Sequence, residues 1–178
     1  MSAKTLSIPD GLWDILKLYY ANLHWENFVK ELDEAQPPRW TFIHGDFHPG
    51  NVMWMPDDTV CKVRFFDWEV VGLGSGPQEL GRYVISHLDL GKYDADVHRS
   101  LISDYYAELI RVNPEIASDY SLDVCWKDFV QGGMRDWVWM LPQMTRWRPD
   151  VTTHVVEKME TFRKMHDVQP ADVAYPCA

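Results

Sequence analysis

The stretch HGDFHPGNVMW, residues 44–54, sets charged and amide side chains among two glycines and a proline, and then turns apolar. Asp46 and Asn51 lie five residues apart, and the glycines and proline around them predict a tight loop. The apolar residues that follow predict a strand directly after this loop. Which chemistry the loop serves depends on the side chains that the rest of the chain brings to it.

Two apolar runs after the loop predict a β-hairpin. The runs NVMWM (51–55) and VCKVRFF (60–66) flank PDDT, a turn sequence that begins with proline. In the second run, apolar residues alternate with a lysine and an arginine, which is the spacing of a strand with one exposed face. Because neighbouring strands lie about 5 Å apart, we expect Asn51 and Asp67, one at each end of the hairpin sequence, to be close in space.

The composition limits the partners and the location that we expect. Among 178 residues, 17 are Lys or Arg and 27 are Asp or Glu, which gives a formal net charge of −10. That charge argues against nucleic acid or an anionic membrane as a partner, and it permits a cationic ligand. The sequence has no run of about 18 apolar residues, so we expect no membrane span. Cys61, Cys125 and Cys177 are too widely spaced for a disulfide framework or a zinc site. We therefore expect a cytoplasmic protein.

Three oxygen-bearing side chains should converge at one end of the hairpin: Asp46, Asn51 and Asp67, with Glu69 two residues further on. Such hard ligands suit Mg²⁺, which takes one or two carboxylates, waters and substrate phosphates. Phosphoryl transfer needs a metal site of this kind and a carboxylate that accepts the proton of the attacking hydroxyl. Protein kinases supply these groups as D-x-x-x-x-N and a later Asp. Asp46 and Asn51 have that spacing, and FFDWE contributes the later Asp67.

HGDFHPGN followed by FFDWE resembles the aminoglycoside phosphotransferase and choline kinase superfamily of small-molecule kinases, which have a protein-kinase-like fold. The resemblance implies that Asp46 is the catalytic base and that Asn51 and Asp67 bind Mg²⁺. It implies ATP as the phosphate donor and a hydroxyl of a small molecule as the acceptor. It also implies that Glu69 is a secondary acidic residue near the metal and that His44 braces the loop.

The roles of three other features stay open. His48 could contact a phosphate or the substrate, although bracing of the loop is the favoured interpretation. GSGPQELGRYV resembles the Pro-x-x-Asp-Leu helix start of the same superfamily, with Glu79 in the place of the more usual Asp. Residues 135–150, RDWVWMLPQMTRWRPD, mix tryptophans with arginines and could line an acceptor pocket, or could be helix core and a solvated loop. The substrate-binding residues remain unassigned.

Helical periodicity dominates the chain outside the hairpin, so the predicted fold class is mainly α with a small catalytic β-hairpin, an α+β fold. WTFI (40–43) reads as a short strand that runs into the loop, and GLGSGP (72–77) as a flexible turn beside the site. Prolines near the C-terminus indicate a loose tail. The predicted segments are leading helices at 1–36, the catalytic loop, hairpin and metal segment at 40–76, a helical subdomain at 77–166 and the loose tail at 167–178.

The resemblance covers residues 10–166 and corresponds only to the C-terminal lobe of such kinases. Nothing before the loop matches the phosphate-covering loop, the strand Lys or the helix Glu of the N-terminal lobe, which is predicted to be absent. We therefore expect weak or no activity from the isolated chain. An N-terminal lobe in trans, or self-association, is expected to cover a face with Trp13, Trp40 and Trp54, unless residues 1–36 fold over that face as a lid.

Two alternative functions follow from the same residues. His44-x-Asp46 with a distant His resembles the iron facial triad of oxygenases, but such sites lie in β-rich barrels and would leave Asn51 and the DWE segment without a role. The second alternative is a kinase-like lobe without independent activity that serves as a binding or regulatory module. The missing lobe favours this alternative, and the intact set of Asp46, Asn51 and Asp67 disfavours it.

Overall fold

A computed structural model describes residues 6–34, 40–89 and 94–175. These residues are mainly helical and include two small antiparallel sheets, which confirms the predicted α+β class. The helices are α1 (Asp10–Ala21), α2 (Trp25–Glu34), α3 (Gly76–His87), α4 (Ala95–Val112), α5 (Leu122–Lys127), α6 (Gly133–Trp147), α7 (Pro149–Met165) and α8 (Pro170–Val173). The strands are β1 (Thr41–Ile43), β2 (Val52–Trp54), β3 (Val63–Phe65) and β4 (Gly72–Gly74).

The hydrophobic core lies between the helices. Helix α1 packs against α6, α7 and α8, and α3 packs against α6 and α7. A π-helical turn (Asp128–Gly132) leads from α5 into α6 without a break. The largest fully buried apolar side chains are those of Tyr19, Phe129, Phe162, Leu12, Ile15, Ile85, Ile102, Met134, Met159, Val84 and Val138. Among the described residues, no buried core side chain comes from a strand, so the helices provide the rigid part of the fold.

Helix α3 approaches α6 at two facing glycines. A Cβ on Gly81 would lie 2.3 Å from the carbonyl oxygen of Phe129 and 2.9 Å from the Cα of Gly133. A Cβ on Gly133 would lie 2.6 Å from the Cα of Gly81. Backbone therefore meets backbone at this crossing, and a side chain on either residue would push the helices apart.

The strands form two separate pairs. β2 and β3 make the predicted hairpin, with Val52 opposite Phe65 and Trp54 opposite Val63. β1 pairs with β4, a strand that lies inside the GLGSGP segment, so the prediction of a flexible turn there was wrong for 72–74. Glycine has low strand propensity, and the sequence gives no apolar alternation to indicate this pairing. Gly74 leaves room for Ile43, whose Cδ1 would lie 2.5 Å from an added Cβ.

The C-terminal segment is docked onto the helices rather than loose, at least as far as residue 175. Val168 and Val173 are buried in the core, and the ring centroid of Tyr175 lies 5.6 Å from that of Tyr19. Pro170 lies in the first turn of α8, where a missing N–H costs nothing. Pro170 therefore starts a helix instead of loosening the chain. Residues 176–178, with Cys177, lie outside the described residues.

In the part of the chain that the structure describes, no helix is both long enough and apolar enough to cross a membrane.

Two histidines, on α4 and after α7, form a buried pair. His98 is fully buried, and its Nδ1 lies 2.9 Å from Nε2 of His166, within hydrogen-bond distance. Aromatic rings of Phe129 and Phe162 surround both imidazoles. Burial, the neighbouring His98 and the charge of Arg99 lower the pKa of His166 to about 4. Burial also lowers the pKa of His98, against the smaller opposing effect of the Asp94 carboxylate.

This pair predicts a loss of stability in acid. Unfolded His166 takes up a proton near its ordinary pKa of 6.5 and folded His166 only near about 4. Between these values the unfolded chain binds more protons, so the free energy of unfolding should fall as the pH is lowered from 7 to 5. Asp136, whose pKa burial raises to about 6, acts in the opposite direction. Urea unfolding at both pH values should show a smaller decrease for His166→Gln than for the wild type, because both proteins share the Asp136 effect.

His154→Gln, at an exposed position of α7, is the matched control for that comparison. It should keep the pH dependence of the wild type. An equal decrease in His166→Gln and the wild type would contradict the assignment of the acid response to the pair.

The glycine crossing predicts that Gly81→Ala destabilises the fold. Overpacking typically costs about 1–3 kcal/mol, and backbone atoms within 3 Å of the new methyl cannot move aside. Alanine gains up to about 1 kcal/mol of helix propensity, so we expect a net loss of up to about 2 kcal/mol in urea unfolding. Gly72→Ala is the control, because nothing lies within 4 Å of its added Cβ. An unchanged unfolding midpoint for Gly81→Ala would refute the crossing.

Candidate active site

The loop between β1 and β2 closes on itself through Asn51. The Asn51 side chain is buried, and its Nδ2 donates to the carbonyl oxygen of Asp46 at 3.0 Å. The Asn51 backbone N–H donates to the carbonyl oxygen of His48 at 2.9 Å within a short 3-10 turn (Pro49–Asn51). The five-residue spacing thus spans one hydrogen-bonded loop, in which the amide group of Asn51 fixes the backbone of Asp46.

The end of the hairpin is tied to the same loop at Phe66. The Phe66 N–H donates to the carbonyl oxygen of Asn51 at 3.1 Å, and the Phe66 carbonyl oxygen lies 2.8 Å from Nε2 of His44. Because a carbonyl only accepts, Nε2 of His44 carries the proton, and its Nδ1 faces the Asp46 N–H at 3.4 Å. Asp67 follows directly, exposed and with a left-handed φ of 65°. The hairpin therefore brings Asn51 and Asp67 to one end, as its register requires.

Gly45 occupies a position that only glycine can adopt without strain. Its φ is 81°, in the left-handed region, and an added Cβ would lie 2.2 Å from the carbonyl oxygen of Val70. The chain can therefore turn sharply between β1 and Asp46.

Glu79, whose role the sequence left open, holds the start of the loop. Its Oε1 accepts the N–H of Gly45 at 2.6 Å and its Oε2 accepts the N–H of His44 at 3.1 Å. Ser75 caps α3, with its Oγ 3.4 Å from the N–H of Gln78, so Glu79 lies in the first turn of that helix. The carboxylate therefore joins the N-terminus of α3 to the end of β1.

Arg82 is a site residue that the sequence analysis missed. Its Nη1 donates to the carbonyl oxygen of Gly45 at 2.8 Å, and its Nη2 lies 3.2 Å from Oδ1 of Asp46. The only signal in the sequence is the spacing of three from Glu79, which puts both residues on one face of a helix. That face could be assigned to the loop only once the packing of α3 was known.

His48 contacts the other oxygen of Asp46. The N–H of Gly50 donates to Nδ1 of His48 at 3.0 Å, which leaves the proton of the neutral ring on Nε2. That Nε2 lies 3.4 Å from Oδ2 of Asp46. His48 also stacks on His87, at 5.9 Å between ring centroids. Burial, His48 and Lys158 lower the pKa of His87.

Glu69 is exposed, and no hydrogen bond or ion pair of its side chain occurs among the described residues. Glu69 is therefore not hydrogen-bonded to Asp46 or Asn51 within the described part of the chain. Across the described part of the chain, no three His, Cys, Asp or Glu side chains lie where they could hold a metal ion. The two oxygen ligands predicted from the sequence, the amide of Asn51 and the carboxylate of Asp67, are not a group of this composition.

A cavity of about 740 Å³ is lined in part by Glu79. Its lining includes Gln78 and Glu79 of α3, Arg135 and Asp136 of α6, and Tyr175. Asp46, Asn51 and Asp67 do not line it, so they do not open onto this cavity. Of the segment 135–150, only the first two residues reach the cavity.

Carboxylates dominate the charge of this cavity. Its lining contains Glu31, Glu79, Asp128, Asp136 and Asp172, against Lys127 and Arg135. Glu31 is ion-paired with Arg135, and its buried Oε2 has no hydrogen-bond partner among the described residues. Burial raises the pKa of Asp136 to about 6, although Gln78 Nε2 donates to its Oδ1 at 2.6 Å.

Comparison with known families shows to which family the chain belongs. The family model of the phosphotransferase enzyme family (APH) matches residues 10–109, more than half of the chain, including HGDFHPGN and FFDWE. The chain belongs to this family. The resemblance drawn from the two motifs is thereby confirmed, and family membership identifies a phosphotransferase of the kinase-like type. Searches among curated proteins and among solved structures found no match.

The contacts of Glu79 predict that Glu79→Gln destabilises the loop. An amide has one acceptor oxygen, so one of the two backbone N–H groups loses its partner. An unsatisfied, partly buried donor costs about 1–3 kcal/mol, and we expect a loss of that order in urea unfolding. Glu157→Gln, exposed on α7, is the control. Equal unfolding free energies of Glu79→Gln and the control would show that the loop does not depend on this carboxylate.

Proposed function

We propose that this chain transfers the γ-phosphoryl group of ATP to a hydroxyl of a small-molecule acceptor. The observation that supports the proposal most directly is the hydrogen-bonded loop of Asp46 and Asn51 with Asp67 at its side. Family membership supports the reaction class. The kinase-like C-terminal lobe predicted from the sequence is part of the same proposal.

Asp46 is proposed as the base. Its side chain is 46 % exposed, so a hydroxyl can approach it. As the acceptor oxygen bonds to the γ-phosphorus, the bond from that phosphorus to the β,γ-bridging oxygen breaks and ADP leaves. The hydroxyl proton passes to the carboxylate of Asp46, and later to solvent.

Asn51 and Asp67 fit a magnesium ion. Because Nδ2 of Asn51 is committed to the Asp46 carbonyl, Oδ1 is the atom that a metal would take. Asp67 adds an exposed carboxylate at the same end of the hairpin. One amide and one carboxylate suit Mg²⁺, which keeps waters and substrate phosphates in its remaining positions. Such an ion would neutralise negative charge on the phosphates.

The cavity beside Glu79 is the proposed acceptor site. Its volume of about 740 Å³ is that of a small-molecule pocket. Glu79 lines it and also binds the backbone next to Asp46, whereas Asp46 itself does not line it, so the reacting hydroxyl of an acceptor held there must extend past Glu79 to reach the base.

The exposed aromatic residues favour a second function. In this function the chain is a kinase-like lobe that binds a partner and has no turnover of its own. Trp13, Trp40 and Trp54 are 48, 45 and 61 % exposed, so the described part of the leading helices does not form a lid over them. Phe42 and Leu73, on β1 and β4, are exposed as well. Patches of this kind mark contact surfaces, and an N-terminal lobe in trans or a second copy of the chain would cover them.

The base assignment predicts that Asp46→Asn slows phosphoryl transfer while the fold persists. Loss of a general base typically lowers the rate by about 10²–10⁴. ADP release from MgATP, measured with a panel of hydroxyl-bearing small molecules, gives the rate. Asp57→Asn, exposed in the hairpin turn, is the control and should keep the wild-type rate. Near-normal turnover by Asp46→Asn would remove this residue from the mechanism.

Calorimetry with MgATP separates the two functions. Among the described residues, no glycine-rich loop precedes the site to cover the phosphates. We therefore expect weak ATP binding by the chain alone, and tighter binding once a partner covers the exposed face. Tight ATP binding with steady ADP formation by the chain alone would contradict this expectation. It would also exclude the second function, in which the lobe has no turnover of its own.

A further inference from the structure

We propose that Arg82 is a positioning residue, which fixes the carboxylate of Asp46 so that Oδ2 is the oxygen that receives the proton. This inference rests on the proposed function and adds a residue to it. Arg82 contacts both the backbone before Asp46 and the side chain of Asp46 itself.

The two contacts of Arg82 constrain different degrees of freedom. Nη1 binds the carbonyl oxygen of Gly45 at 2.8 Å and so holds the peptide that enters Asp46. Nη2 lies 3.2 Å from Oδ1 and so holds the rotation of the carboxylate about its side-chain bonds. A planar guanidinium presents both donors at once, which a lysine ammonium on a flexible stem cannot reproduce in the same geometry.

The helix that carries Arg82 is itself immobilised. The carbonyl oxygen of Arg82 accepts Nε1–H of the buried Trp137 at 3.0 Å. The preceding residue is Gly81, where α3 touches the backbone of α6 at Gly133. The guanidinium is therefore attached to the rigid helical core, whereas the loop that it holds lies outside that core.

The same face of α3 binds both the N–H groups and a carbonyl oxygen of the loop backbone. Glu79 accepts the N–H groups of His44 and Gly45, and Arg82 donates to the carbonyl oxygen of Gly45. With both polar groups of Gly45 engaged, the backbone cannot rotate to turn Asp46 away. The direction of the Asp46 side chain is thereby set by α3.

The remaining oxygen of Asp46 is the one available for chemistry. Oδ1 is engaged by Arg82, whereas within the described ranges the polar contact of Oδ2 is with His48 Nε2 at 3.4 Å, longer than an ordinary N–H···O hydrogen bond. The Asp46 side chain is about half exposed. A water or hydroxyl that attacks the γ-phosphorus would therefore transfer its proton to Oδ2, as the bond to the leaving ADP breaks.

The test uses ADP formation from MgATP with water as the acceptor, so that no unidentified substrate is needed. Arg82→Gln should lower kcat by about 10- to 100-fold, since small misplacements of a reacting group cost this much, with the KM for ATP changed less than about twofold. Arg82→Lys, which keeps the charge and one contact, should recover part of the loss. The control is Arg163→Gln, because Arg163 is 19 % exposed against 22 % for Arg82 and is paired with Glu160 far along α7.

A second measurement reports on the loop without any turnover. Hydrogen exchange of the peptide that covers 40–52 should be faster in Arg82→Gln than in the wild type, and unchanged in Arg163→Gln. If Arg82→Gln does not fold, Arg82→Lys decides: an unchanged kcat would overturn the proposal, and a reduced kcat with an unchanged KM would support it.

The outcomes separate this inference from the function on which it rests. A wild-type kcat in Arg82→Gln, while Asp46→Asn is slow, would overturn the positioning role alone. Equal ADP formation by the wild type and Asp46→Asn would overturn the proposed function, and the positioning role with it. Unchanged hydrogen exchange of 40–52 in Arg82→Gln would overturn the contact between helix and loop.

Discussion

The candidate site depends on the two hydrogen bonds that the carboxylate of Glu79 accepts. The carboxylate accepts the N–H groups of His44 and Gly45, and so fixes the end of β1 to the first turn of α3. Gly45 must be glycine there, because its φ is left-handed and Val70 O occupies the space of a Cβ. Asp46 is the next residue, so its direction follows from these backbone constraints more than from its own rotamer.

The constraint is effective because α3 belongs to the rigid part of the fold. Gly81 brings α3 against the backbone of α6. Trp137 of α6 donates to a backbone carbonyl oxygen of α3, and Asp136 of α6 accepts a hydrogen bond from Gln78 of α3. The strands contribute little to the buried core and leave apolar side chains exposed instead. The site thus lies where a packed helical core meets a thin layer of strands, with a surface beside it that a further domain or partner can cover.

The negative charge of this chain opposes the binding of phosphates. The formal net charge is −10, and carboxylates outnumber cations around the cavity. Phosphates need positive charge near the reacting oxygens. Arg82 supplies one cation beside Asp46, and a metal ion at Asn51 and Asp67 would supply more. Because like charges repel, the acid-rich cavity is proposed to bind the acceptor rather than the nucleotide.

The sequence by itself determined the loop, the β2–β3 hairpin and the helical character of the rest. These features depend on residues that are close together in the sequence. Turn residues determine the loop, and the alternation of apolar residues determines the strands. The tertiary structure decided what Glu79 and Arg82 do, how β4 pairs with β1, and that Val173 docks the C-terminal segment. Each of these contacts joins residues far apart in the chain, and a glycine-rich strand or a helical arginine carries no local mark of its partner. Only the packing of α3 against α6 fixes which face of the helix meets the loop.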